Sequence, residues 1–170
     1  MKTLLDDSWR VFYSMTYKRL TKEQFEELHE AFSQFLASQS IDATQWDQMK
    51  ADAPELVSNQ LDAFSDLVWT EVLRKAVFLD HFSEDGLFCF HAGQKSLRLV
   101  GVRCQSPLDL TDASGWSWLK DHWQEDQVSF YSAQKPYESD RAKELFGLIE
   151  KGAVLSNGSY FEALERLGLS

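Results

Sequence analysis

The sequence predicts an α+β fold: a helical N-terminal half packed on a three- to four-stranded antiparallel β-meander, with two or three C-terminal helices. Three observations carry that prediction. Apolar residues recur at helical spacing as far as residue 75, alternation replaces that period over residues 76–104, and helical spacing returns after residue 139. The chain has 170 residues, which suits one domain over residues 15–170 with residues 1–14 as an N-terminal extension or arm.

The first helix is expected over residues 21–38. Thr21 and Gln24 form a capping box, Glu23 suits the positive end of the helix dipole, and Phe25, Leu28, Phe32, Phe35 and Leu36 make the apolar stripe. Asp42 with Gln45 is a second cap, opening a short helix that carries Trp46 and Met49. Pro54 ends that helix or begins the next, since proline is tolerated in a first turn but not mid-helix. Val57, Leu61, Phe64, Val68 and Val72, widened by Leu67 and Leu73, then predict a long helix to residue 75.

Residues 76–82, 87–91 and 96–104 read as three strands joined by the turns Ser83-Glu84-Asp85-Gly86 and Ala92-Gly93-Gln94-Lys95. Turns centred on residues 84–85 and 93–94 set Leu79 opposite Phe90, and Phe90 opposite Leu97. His81, Phe88 and Leu99 share that face, which is expected to pack on the long helix. The other face aligns Asp80, Cys89 and Arg98 in one row and Phe78, His91 and Ser96 in the next, and is expected to be half-exposed. After Pro107 come a loop, a helix over residues 114–123 and a strand over residues 128–133 that Pro136 stops. Ser139 or Asp140 then caps a helix through Lys151, Gly152 stops it, and Asn157-Gly158 turns into a final helix from Ser159 with Phe161, Leu164 and Leu167 inward.

Three stretches, Tyr17-Lys18-Arg19-Leu20-Thr21-Lys22-Glu23, Phe64-Ser65-Asp66-Leu67-Val68 and Leu145-Phe146-Gly147-Leu148-Ile149-Glu150-Lys151-Gly152, resemble an uncharacterised family of short Bacteroidetes proteins over about residues 15–167. These motifs are helix caps and core stripes, and the resemblance implies no activity, cofactor or catalytic residue. It implies a domain that begins near Met15.

The net charge of −10 is uneven: residues 21–75 carry 11 acidic and 4 basic groups, whereas residues 76–105 carry three of each. An acidic surface repels phosphate backbones and anionic lipid, so direct nucleic-acid and membrane binding are disfavoured, and a protein partner, basic in character, fits better. A homo-oligomer is compatible with the same composition. Cys89 and Cys104 are too few for a disulfide framework, and Asp6 and Asp7 interrupt the apolar core a signal peptide needs. The expected location is therefore the reducing cytoplasm. His29, His81 and His122 stand apart without metal-ligand spacing, and no phosphate loop, dinucleotide fingerprint or nucleophile elbow occurs. No metal and no cofactor is expected.

Three groups of residues are candidates for function. In the Asp80/Cys89/His91/Arg98 group, Arg98 would lower the Cys89 pKa, His91 would act as base and Asp80 would orient it. A flat sheet face rarely supplies the concavity such chemistry needs, and the bland reading, an Asp–Arg pair across a sheet with a small Cys between, outweighs it. In the helix over residues 114–123, Trp116, Leu119 and Trp123 share a face suited to covering the sheet near Phe78 and Phe82. Trp118 and His122 are left on another face as a partner-docking anchor. Leu4, Leu5, Trp9 and Phe12 form an apolar arm for a groove on a partner or on a second copy. The leading expectation is a non-catalytic interaction or accessory protein that binds another protein. The alternatives are an enzyme of unrecognised type using the sheet-face group, and a small acidic inhibitor or immunity-type protein.

Overall fold

The computed structural model describes residues 14–168. Trp9 and Phe12, and with them the apolar arm, lie outside the described residues. The fold is α+β, and the chain divides into two compact units, residues up to Val72 and residues from Leu73 onward.

The first unit holds α1 (Lys22–Glu27), α2 (His29–Ser38), α3 (Ala43–Asp52) and most of α4 (Pro54–Lys75). Both capping boxes form: Thr21 and Asp42 accept from the backbone N–H of Gln24 and Gln45, whose side chains accept in return. The single helix expected over residues 21–38 is instead two, broken at Leu28 (φ −100°, ψ 18°), where the His29 ring lies 3.0 Å from the Glu26 carbonyl. Phe64 of α4 anchors the core, with Phe25, Phe32 and Phe35 at ring-centroid distances of 5.8, 5.0 and 5.5 Å, and Trp46 standing edge-on to Phe32. The segment entering α1 is tied to α4 by polar side chains. Asp66 accepts from the backbone of Thr16 and Tyr17, Ser65 accepts from that of Leu20, and Trp69 donates to the Lys18 carbonyl.

The second unit is built on a five-stranded antiparallel sheet in the order β4-β3-β2-β1-β5. Its strands are β1 (Phe78–Ser83), β2 (Gly86–Ala92), β3 (Ser96–Cys104), β4 (Val128–Pro136) and β5 (Val154–Ser156). The β1–β2 register is the expected one, with Leu79 opposite Phe90 and Asp80 opposite Cys89. The β2–β3 register is shifted by two residues: Phe90 faces Leu99 rather than Leu97, and Cys89 faces Val100 rather than Arg98. A shift of two preserves which side chains share a face, so the pattern of apolar and polar faces survives while the rows change partners. Strand β5 pairs with β1 and is too short for alternation to reveal it.

Helices α5 (Ala113–His122), α6 (Arg141–Glu150) and α7 (Ser159–Gly168) complete this unit. The face carrying Asp80 and Cys89 is not half-exposed. Leu87, Cys89, Val100 and Val102 form one buried cluster with Leu119 of α5 and with Phe161 and Leu164 of α7. The heavy aromatic content fills the margins of this cluster: Trp116 stacks on Tyr160 (5.5 Å, 8°), and Phe78 packs on Phe161 at 5.5 Å. Gly115 lies inside α5 where the helix passes close to the Asp109 carbonyl, and a Cβ there would stand 1.9 Å from its oxygen.

Candidate functional site

The sheet-face group does not assemble as a catalytic set. Cys89 is fully buried and Asp80 is 1% exposed. Burial, together with the adjacent Asp80, pushes the Cys89 thiol far above its ordinary value, so the thiolate needed for nucleophilic attack is suppressed. Arg98 lies in the next row, opposite His91, where it ion-pairs with Glu165 and covers the Phe161 ring at 5.5 Å. His91 is packed against both Phe78 and Phe161, at 5.0 and 5.9 Å. The expected Asp–Cys–Arg row is therefore replaced by Asp80–Cys89–Val100, with no cation in it. Among the described residues no hydrogen-bond partner reaches Asp80 Oδ1, a destabilising feature of this core.

Trp118 is half-buried against the core cluster, and its ring stacks on His122 at 4.5 Å and 7°. The His122 Nδ1 lies 2.7 Å from the Trp118 carbonyl, and Nε2 lies 3.9 Å from Glu125. The His122 ring thus covers one face of the indole. Among the described residues, no group of three or more His, Cys, Asp or Glu is placed to hold a metal ion, and no helix is long and apolar enough to cross a membrane.

The longer of the two sheet edges among the described residues is β4. It pairs with β3 along nine residues, from Cys104–Val128 to Ser96–Pro136, and no described strand pairs with its other side. Helix α7 lies over β1 to β3 and α5 sets Trp123 edge-on to Phe130, so one end of β4 is half-buried while residues 131–136 are exposed. Between β4 and α7 runs a groove of about 230 Å³. Val100, Phe130 and Leu164 give it apolar walls, and Ser132 and the Arg98–Glu165 pair stand at its rim. Apart from Arg98 and the inward Leu164, these residues escaped sequence reasoning because the alternation of residues 128–133 reveals a strand but not whether that strand lies at an edge.

A second polar centre was equally invisible in the sequence. The Arg141 guanidinium at the start of α6 donates to the main-chain carbonyls of Leu73, Ala76, Ala92 and Gly93, and Tyr137 donates to the Gly93 carbonyl as well. A guanidinium saturated by carbonyls joins three chain segments and has little donor capacity left for a ligand.

One family model, described as a family of unknown function (DUF6495), matches residues 15–168. No curated protein and no solved structure matches the chain.

Proposed function

We propose that this chain, which belongs to the family of unknown function DUF6495, is a non-catalytic binding protein that takes up an extended polypeptide by strand addition to β4. The observation that carries this reading is the nine-residue edge of β4, paired on one side and exposed from residue 131 to residue 136. On such an edge every second residue turns its N–H and C=O outward, which is a ready template for another strand. The groove beside it offers an apolar recess to alternate side chains of the incoming segment. The buried Cys89 supports a binding role over the enzymatic alternative, and two free cysteines suit a reducing compartment such as the cytoplasm.

The test is a photo-crosslinking side chain placed at Ala133 in cells, with one at the exposed Gln34 of α2 as control. Adducts formed at position 133 and absent at position 34 support strand uptake. Equal capture at both positions, or none at position 133, overturns it.

A second reading, the acidic inhibitor, is favoured by one observation: Glu23, Glu26, Glu27, Glu30, Asp47, Asp52 and Glu55 of the helical unit are all exposed. It requires a basic partner whose binding weakens steeply with added salt. Capture that is indifferent to salt removes it.

A further inference from the structure

We infer that the strand taken up by β4 is β4 of a second copy of this chain, running antiparallel about Ser132 so that two five-stranded sheets join into one. The inference rests on the reading of β4 as an adhesive edge and names the partner that fits it.

Charge is the first argument. Two copies of a chain with net charge −10 repel each other except where their surfaces are neutral. Within Val128–Pro136 the only charged side chain is Lys135, and its own copy engages it through Glu138 and Glu144 at 3.5 and 3.1 Å. The edge is thus a near-neutral stretch along which two acidic molecules can approach.

Shape is the second argument. Ser132 is the midpoint of the nine-residue strand, so pairing about it uses the whole edge. Tyr131, 42% exposed, then stands opposite Ala133 of the second copy, twice over, a large apolar side chain against a small one. The two Ser132 hydroxyls face each other within reach of a hydrogen bond, and Phe130 meets Gln134. A register centred on Tyr131 would set tyrosine against tyrosine and leave the Pro136 end unpaired.

Continuity with the groove is the third. Phe130 and Ser132 form its β4 wall, and the incoming strand presents its own Ser132 and Gln134 beside them. The open flank of the recess is therefore closed by the second copy.

The experiment is sedimentation of the full chain over a range of concentrations, combined with disulfide trapping. Directly opposed residues of an antiparallel pair have Cα atoms about 4.5–5.5 Å apart, within the range a disulfide spans. Ser132→Cys is expected to cross-link to itself under mild oxidation. Ser129→Cys faces Lys135, lies about 20 Å from its counterpart and is expected not to do so. Cys89 and Cys104 are buried and remain silent. Ser132→Lys, at an exposed position, places two ammonium groups opposite each other and is expected to return the dimer to monomer.

A dimer that traps equally well at position 129, or that ignores Ser132→Lys, overturns the proposal. A chain that sediments as a monomer throughout, while the Ala133 cross-linker still captures a different protein, overturns self-pairing and leaves strand uptake standing. A monomer that captures nothing overturns both.

Discussion

The Asp66 carboxylate accepts a 2.7 Å hydrogen bond from the backbone N–H of Thr16, fifty positions earlier in the chain, and a second of 2.9 Å from Tyr17. Asp66 is 5% exposed, so these bonds satisfy buried acceptor oxygens while fixing the path of the chain into α1. The first residue held this way lies one position inside the start of the family match at residue 15. Two of the three family-like stretches, one around Tyr17 and one around Asp66, are therefore partners in one structural joint.

Asp66→Ala removes both acceptors and is expected to cost about 2–4 kcal/mol, with amide exchange at Thr16 and Tyr17 accelerating at least as much as the rest of the helical unit. Exchange measured by NMR checks this. Unchanged protection at those two amides would show that the joint does not depend on Asp66.

Arg141 predicts a different failure. Its planar fork reaches four carbonyls, at 2.5–3.0 Å, that belong to the end of α4, the start of the segment after it, the end of β2 and the β2–β3 connection. Lysine keeps the charge but concentrates three donors at one point, so Arg141→Lys leaves carbonyls unpaired and is expected to cost about 2 kcal/mol or more. Urea titration of the variant checks this, and a midpoint equal to that of the parent chain would contradict it.

The same arginine accounts for what the sequence could not disclose. The caps at Thr21 and Asp42 are local devices, complete within four residues, and were legible. So was the β1–β2 register, because the Ser83 hydroxyl bonds Asp85 and the Gly86 carbonyl within the turn itself. The second turn is centred on Gln94–Lys95 instead of Gly93–Gln94. The Gly93 carbonyl is held by Arg141 and Tyr137, more than forty positions away, and no local pattern records such a contact. Cys89 suffered the same blindness. Alternation placed it on the correct face, but only the packing of α5 and α7 decides that this face is buried. The β4 edge was missed because edge position is a property of the whole sheet order.

Cys89 also yields a direct measurement. Burial and the neighbouring Asp80 raise its thiol far above the ordinary range, and Cys104 is raised by burial and Asp85. In the native chain at neutral pH, iodoacetamide is expected to modify Cys89 at a rate set by unfolding, orders of magnitude slower than in urea and slower than Cys104. Mass spectrometry of timed aliquots distinguishes the two sites. Prompt labelling of Cys89 would restore the case for a nucleophile.

Glu144 in the first turn of α6 carries the pH dependence that is easiest to isolate. Its carboxylate accepts from the backbone N–H of Ser139 at 3.0 Å and of Glu138 at 2.5 Å, and faces Lys135 Nζ at 3.1 Å. The backbone bond from Ser139 leads, and with Lys135 it holds the carboxyl below its ordinary value of 4.5. The unfolded chain therefore takes up this proton at a higher pH than the folded one. The stability Glu144 contributes is full above the ordinary value and is lost as pH falls through the depressed one. Glu23 and Asp109 are also held low and steepen the acid limb of the whole protein, but equally in parent and variant. Glu144→Gln should lie below the parent in melting temperature at about pH 6, and the gap should narrow steadily toward about pH 3. Melting curves that stay parallel across that interval would mean that Glu144 is as easily protonated in the folded chain as in the unfolded one.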